Sequence, residues 1–241
     1  MKVLIKDNYN ELSKAAALDI LELVKEKPNC VLGLATGSTP VGTYEKLIEF
    51  YKEGKIDFSK VTSFNLDEYR GLPEDHPQSY KFFMNDVFFN HINIKKENTF
   101  LLNGMATHIE KECMEYDKKI DNKGGIDLQI LGIGGNGHIA FNEPSEELIL
   151  FTHLTKLKSN TIKDNSRFFN SQEEVPTEAL TMGIGSIMKA KKIILLISGE
   201  CKAEIAKKLI KGQLTTKLPA SLLHLHPNCT VILDKEAAKF I

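Results

Sequence analysis

Three features of this chain predict an α/β fold with a doubly wound, mostly parallel sheet and helices on both faces. Short apolar runs alternate with longer stretches that carry apolar residues at helical spacing. Several of the short runs lead straight into Gly-rich or hydroxyl-rich turns, as parallel strands do where they open into a ligand crevice. One run, residues 192–197, is apolar almost throughout, which suits a strand buried on both faces.

The elements follow in order. Val3, Leu4 and Ile5 form a first strand. Residues 12–24 place Leu12, Ala16, Ile20 and Val24 on one helical face, and Pro28-Asn29 ends the helix. Residues 30–34 are a strand. The next helix starts at Pro40, whose missing N–H is not needed in a first turn, and shows Tyr44, Leu47, Ile48 and Tyr51 as one face. Residues 61–66 are a third strand. Residues 80–89 form a helix whose Phe82, Phe83, Phe88 and Phe89 are expected in the core rather than as a stacking platform for bases.

A helix over 105–120 leads to a strand over 126–133. Then come 151–157, a helical 182–188, the strand 192–197, a helix over 201–210 closed by Gly212, and a last strand over 230–233. No linker, repeat or low-complexity tract interrupts this pattern, so residues 1–241 are expected to form a single domain. The polar stretch 145–174 is the least regular. It reads equally well as a flap over a site or as a surface insertion.

Composition narrows the function. The 241 residues hold 31 basic and 32 acidic side chains, a formal charge of -1, with no basic block. That argues against a nucleic-acid partner held by phosphate contacts. No apolar run approaches membrane-spanning length, and the N-terminal MKVLIKDNYNE lacks the apolar region of a signal peptide. Cys30, Cys113, Cys201 and Cys229 are dispersed without a C-x-x-C pair and read as reduced thiols, so a cytoplasmic location is expected. His224 and His226 could share a face as metal ligands, but no third ligand stands at a sensible spacing. No metal is expected.

The most informative stretch is 131–144, LGIGGNGHIAFNEP. It begins as the apolar end of a strand and runs through Gly132, Gly134, Gly135 and Gly137. It then presents His138 and Glu143, a pair suited to proton transfer. A glycine cluster alone would be a weak signal for chemistry; the histidine and carboxylate strengthen it.

Three further places carry candidate chemistry. In 33–40, GLATGSTP, a strand turns through Thr36, Gly37, Ser38 and Thr39 into a helix. This is either an anion cradle of N–H and hydroxyl groups or a plain cap with Thr39 at the N-cap. In 63–73, SFNLDEYRGLP, Asp67 and Glu68 follow a strand, and alternation lets only one of them face a ligand. Such a carboxylate suits removal of a proton from carbon, while a solvated acidic turn is the plain alternative. Arg167 and Lys202 are cations far apart in sequence, and each alone reads as a surface charge. Lys202 at a helix start opposes the helix dipole and so favours an anionic partner.

Taken together and in order, GLATGSTP, NLDEYRGLP, LGIGGNGHIAFNEP, NSRFF and GECKA resemble the glucosamine-6-phosphate deaminase family across nearly the whole chain. The resemblance implies a Rossmann-like fold and conversion of glucosamine 6-phosphate and water to fructose 6-phosphate and ammonia, without metal or organic cofactor. It implies Asp67 as the base of enolisation and His138 as the group that opens the sugar ring, with Asn136 and Glu143 orienting it. Thr36, Gly37, Ser38, Thr39, Gly137, Arg167 and Lys202 would bind the substrate and its phosphate.

Two departures modify that expectation. Many relatives carry Asp where this chain has Asn136, which can accept from the imidazole N–H but does not favour its charged form. Glu143 is then expected to carry more of that task, with the alkaline limb of the rate profile lower than in an Asn136→Asp variant. Some bacterial relatives are hexamers activated by N-acetylglucosamine 6-phosphate through cations that fall at His153 and Thr155 here, and the chain stops at Ile241, earlier than theirs. An enzyme without that activation, monomeric or a homo-oligomer, is expected. The rival readings are a 6-phosphogluconolactonase-like hydrolase and a non-catalytic sugar-phosphate sensor. A DNA-binding segment for a regulator finds no room beside the expected domain.

Overall fold

A computed structural model describes residues 1–241. In chain order the strands are β1 (Lys2–Lys6), β2 (Val31–Leu34), β3 (Thr62–Asn65), β4 (Asp67–Tyr69), β5 (Thr99–Phe100), β6 (Leu128–Gly132), β7 (His153–Lys156), β8 (Glu178–Thr181), β9 (Ile193–Ile197) and β10 (Cys229–Asp234). The α-helices are α1 (Tyr9–Glu26), α2 (Val41–Lys52), α3 (Tyr80–Val87), α4 (Ile109–Asn122), α5 (Ser159–Asn165), α6 (Ile184–Met188) and α7 (Ala203–Ile210).

Seven strands pair in the order β1-β10-β9-β6-β2-β3-β5, every pair parallel. From β2 the chain builds outward through β3 to β5. It then returns to the other side of β2 with β6 and builds outward through β9 to β10, which pairs with the first strand, β1, at the edge. The order therefore reverses between β2 and β6, and the loops leaving these strands share the crevice where open α/β sheets bind ligands. Strands β9 and β10 are buried along their whole length, as an apolar strand covered on both faces should be. At the edge, β1 leaves Val3 and Ile5 partly exposed and is flanked by Lys2 and Lys6.

Local chemistry explains the helices. Asn8 caps α1 by accepting from the Glu11 N–H at 3.0 Å, and Leu12, Ala16, Ile20 and Val24 bury the predicted face. Gly42 lets α2 close against α1, because a Cβ there would stand 2.5 Å from Ser13 Oγ. Helix α4 begins at Ile109 rather than at Met105. The Asn103 side chain takes the Met105 N–H at 2.9 Å and its carbonyl takes that of Ala106 at 3.0 Å, so residues 103–106 form a turn instead. Of the aromatics near α3, Phe88 and Phe89 are buried, and Phe88 stacks on Tyr44 at 4.8 Å. Phe82 is 40% exposed, contrary to the core expectation. It lies in the first turn of α3, where the helix faces solvent.

A second sheet is absent from the sequence reading: β4, β8 and β7 pair antiparallel in the order β4-β8-β7. Leu66 alone separates β3 from β4, and its carbonyl accepts the Met182 N–H at 2.7 Å. The stretch 145–174 is also less irregular than expected, since it contains β7 and α5.

At the opposite end of the parallel sheet, Asp127 gathers four segments. Its carboxylate accepts from Lys27 at 2.8 Å, from Lys191 at 2.7 Å and from the Val31 N–H at 2.8 Å, just before β6 begins. Burial raises its proton affinity, but the two lysines and the amide outweigh that and hold the carboxyl below its ordinary value. Asp127→Ala is therefore expected to lower the unfolding free energy at pH 7 by about 2 kcal/mol, measured by urea denaturation. A lowered carboxyl pKa contributes stability above the ordinary carboxylate range and loses it as pH falls, so the difference should shrink in acid. Equal stabilities at pH 7 would contradict this role.

Candidate active site

Each strand end near the switch point delivers one of the motifs. Past β2, residues 36–39 turn into α2, with Pro40 at the N-cap and no side-chain cap. Thr39 thus leaves the cap to Pro40. The N–H groups of Gly37, Ser38 and Thr39 make no hydrogen bond within the protein, and they stand at the positive end of a twelve-residue helix. Gly37, with φ of 88°, allows the turn. Tyr9 braces it: its hydroxyl accepts from the Gly42 N–H at 2.8 Å and donates to the Ser38 or Thr39 carbonyl, both at 3.1 Å. Thr36 and Thr39 are half-buried and Ser38 is exposed. The turn thus offers free donors suited to an anion, and Tyr9, which comes from α1, is a part of it that sequence reasoning missed.

On β4, Asp67 and Glu68 take opposite directions, as strand alternation requires. Glu68 is 2% exposed and accepts from the Tyr69 N–H at 2.9 Å. It also accepts from Tyr80 at 2.9 Å and Lys81 at 3.0 Å, two free amides at the start of α3. Burial pushes Glu68 up to about 7 against the pull of those amides. Asp67 is 7% exposed and its carboxylate has no hydrogen-bond partner. Burial, with the Glu68 charge added, pushes Asp67 up to about 8. Glu68 is thus a helix anchor, and Asp67 is a buried carboxyl group whose proton affinity is raised.

Beyond β6 the loop folds tightly on itself. The Gly134 N–H donates to the His138 carbonyl and the Gly137 N–H to the Gly134 carbonyl, each at 2.9 Å. The His138 ring lies over Gly134, where a Cβ would stand 2.2 Å from the ring Cε1. Its Nδ1 faces Glu143 Oε2 at 3.5 Å. Asn136 donates from Nδ2 to the same oxygen at 2.7 Å and accepts the His138 backbone N–H on Oδ1 at 3.1 Å.

That geometry corrects the sequence expectation, because Asn136 does not accept from the imidazole. Its oxygen closes a short turn onto the amide two residues later, as Asn side chains commonly do. Its amide group instead fixes Glu143. The Thr161 hydroxyl donates to Glu143 Oε1. Burial raises the affinity of Glu143 for a proton, but His138, Thr161 and Asn136 outweigh it and hold this carboxyl at about 2. Gly137 is held from both sides. Its N–H and carbonyl are both used internally, the latter by Ala220 at 3.0 Å, and a Cβ would stand 2.2 Å from Leu218 Cδ1. Packing therefore fixes this position as glycine.

Strand β8 ties the two halves of the site together. Asp67 pairs with Thr181 across the sheet, Thr181 Oγ1 accepts the Phe141 N–H at 3.1 Å, and Asn142 donates to the Met182 carbonyl at 2.8 Å. The stretch 145–174 packs onto this frame. Thr161 reaches Glu143, Asn165 donates to the Tyr69 hydroxyl at 2.8 Å, and Phe169 meets the Tyr69 ring edge-on at 5.9 Å.

Arg167 is exposed in the turn that follows α5, with its guanidinium over the Phe168 ring at 4.7 Å. Lys202 is half-buried at the N-cap of α7. Burial lowers its affinity for a proton, and the charge of Arg167 lowers it further against the opposing pull of Cys201 and Asp164. The fold has therefore brought two cations distant in sequence within electrostatic reach of one another. Asp234 holds the turn before Lys202, accepting from Ser198 Oγ at 2.5 Å and the Gly199 N–H at 3.0 Å. His224 and His226 sit elsewhere, each with its Nε2 on a backbone carbonyl, of Leu209 at 2.8 Å and of Ala190 at 2.7 Å.

A family model described as glucosamine-6-phosphate isomerases/6-phosphogluconolactonase matches residues 6–232. The chain is 82% identical over 241 residues to a glucosamine-6-phosphate deaminase of Clostridium tetani, covering all of both chains. It is 63% identical to one of Thermoanaerobacter pseudethanolicus, covering all of this chain and 95% of that one. A solved structure of a monomeric glucosamine-6-phosphate deaminase superposes with a TM-score of 0.98 at 48% identity, with both chains fully covered. A 6-phosphogluconolactonase from Thermotoga maritima, at 24% identity, covers 96% of this chain and 97% of its own with a TM-score of 0.73, and shares the fold.

The raised pKa of Asp67 has a consequence for stability. Between about pH 4, where an unfolded Asp ionises, and about 8, the folded protein keeps a proton that the unfolded chain has lost. Stability from this group therefore falls as pH rises through that window. Asp67→Asn removes the penalty, so the variant should gain on the parent in thermal melts from pH 4 to pH 8. A constant difference across that range would show that Asp67 ionises normally.

Proposed function

The chain belongs to the glucosamine-6-phosphate isomerase/6-phosphogluconolactonase family, and we propose that it is a glucosamine-6-phosphate deaminase. It converts glucosamine 6-phosphate and water to fructose 6-phosphate and ammonia. One observation carries this reading beyond family membership: a buried carboxyl group without partners, Asp67, shares a framework with the His138–Glu143 pair. The identity to named deaminases over the full chain supports it.

The 6-phosphate is held by the N–H groups of residues 37–39 and the hydroxyls of Thr36, Ser38 and Thr39, with Arg167 and Lys202 supplying positive charge. Binding energy gained there, away from the reacting carbons, orients C1 and C2. His138 has Nδ1 turned to Glu143 and uses its other nitrogen, Nε2, to move a proton between the ring oxygen and the C1 hydroxyl, which opens the sugar to its aldehyde. Ionised Glu143 stabilises the imidazolium that forms on the way.

The open aldehyde acidifies the proton on C2. Asp67 takes that proton to give an enolamine and returns it to C1, leaving an imine at C2. Water adds to that carbon, the C–N bond breaks, and ammonia leaves with the ketone in place. A lactonase needs water attack at a carbonyl and has no use for a base on carbon. Asp67 therefore favours the deaminase over its lactonase relatives.

The activator site of hexameric relatives is missing by the same reading. Burial lowers the affinity of His153 for a proton, against weaker opposing pulls from the Phe151 carbonyl and Asp117, and Thr155 carries no charge. A phosphorylated activator would therefore find no cation at either position. The protein acts in solution on a small sugar phosphate, and no helix is long and apolar enough to cross a membrane.

Two measurements test the proposal. The purified protein should release ammonia and fructose 6-phosphate from glucosamine 6-phosphate, while Asp67→Asn loses turnover on the order of 10³-fold and still binds the substrate. Turnover near the parent rate in that variant would remove Asp67 from the base role. N-acetylglucosamine 6-phosphate should leave the rate curve hyperbolic and unchanged, and a sigmoidal curve that it straightens would contradict the missing activator site.

A further inference from the structure

Glu143 has two carboxylate oxygens, and they are held from different sides. Oε2 receives Asn136 Nδ2 and faces His138 Nδ1, both from its own loop. Oε1 has one partner, the hydroxyl of Thr161, which is 3% exposed and comes from α5. The terminal torsion of a Glu side chain is soft and nearly two-fold, so a carboxylate gripped at one oxygen alone swings readily about its last bond. Fixing the second oxygen sets the plane of the group and with it the approach of His138.

We propose that Thr161 is a positioning residue for the His138–Glu143 pair, acting through its hydrogen bond to Glu143 Oε1. Two features separate this role from mere anchoring of α5. The helix is fastened independently by Asn165 on the Tyr69 hydroxyl and by Lys158 Nζ on the Pro144 carbonyl, so removing one hydroxyl leaves it seated. Arg167 also stands two residues beyond the last residue of α5, so damage to the helix as a whole would show in substrate affinity. A loss confined to Thr161 shows instead in turnover. The inference rests on the deaminase reading for its kinetic test and on geometry alone for its structural one.

Thr161→Val keeps the shape and removes the donor, and Thr161→Ser keeps the donor. Thr161→Ala replaces the valine variant if valine does not fold. With glucosamine 6-phosphate as substrate, Thr161→Val should lose kcat about 10- to 100-fold, the weight of a hydrogen bond to a charged group, with KM unchanged. Thr161→Ser should restore kcat to near the parent. An unchanged kcat in Thr161→Val, a loss confined to KM, or a serine variant as slow as the valine one would each overturn the proposal.

A crystal structure of Thr161→Val gives a readout independent of substrate. A Glu143 carboxylate rotated away from His138 supports the assignment, and one left in place overturns it. Absence of ammonia release by the parent would count against the deaminase reading, and the crystal structure would then decide the role of Thr161 on its own.

Discussion

A buried carboxyl group with no hydrogen-bond partner is costly, and Asp67 stands in that state while its neighbour Glu68, facing the other way, accepts three amides. The site depends on this division. Glu68 fastens β4 to the start of α3, which fixes the direction of the strand. Strand alternation then turns Asp67 the other way. Pairing of Asp67 with Thr181 and of Thr181 with the Phe141 N–H carries that orientation to the loop that bears His138. The same isolation that penalises the folded state raises the proton affinity of Asp67 to about 8, which suits a base working near neutral pH.

The second carboxylate of the site shows the opposite treatment. Glu143 is nearly as buried as Asp67, yet two donors from two segments and the adjacent His138 ring hold it at about 2. Two acids of similar intrinsic strength are thus separated widely by their hydrogen bonds and neighbouring charges, a pattern that suits one to proton exchange and the other to fixed charge. Asn136 belongs to the second group by its contacts. A neutral amide donates to Glu143 where a carboxylate at 2.7 Å would repel it. The influence of position 136 on the imidazole therefore runs through Glu143 and the backbone of His138.

Much of this was legible in sequence because it is local. The strands of the parallel sheet are apolar runs bounded by turn residues. The candidate site residues sit in motifs that follow β2, β3, β6 and β9, or in the turn after α5, which brings Arg167 near Lys202. What stayed hidden depends on distant partners. The antiparallel sheet joins strands of three and four residues, β4 lying more than eighty positions from β7 and β8, and all are too short for period-two patterning to register. Tyr9 and Thr161 reach the site from helices whose packing no local pattern reveals. The packing of residues 218–220 on the carbonyl and Cα of Gly137 is likewise long-range. Asn136 shows a local competition with the less obvious outcome, its oxygen closing a turn before it can meet the ring.

The most direct test of this account is the titration of the Asp67 carboxyl carbon by NMR in the ligand-free protein, assigned with Asp67→Asn. Isolation of the group predicts a midpoint near 8. A midpoint near 4, the ordinary value for an exposed Asp, would mean that water or a partner reaches the carboxylate, and the basis for its role as a base poised near neutral pH would be gone.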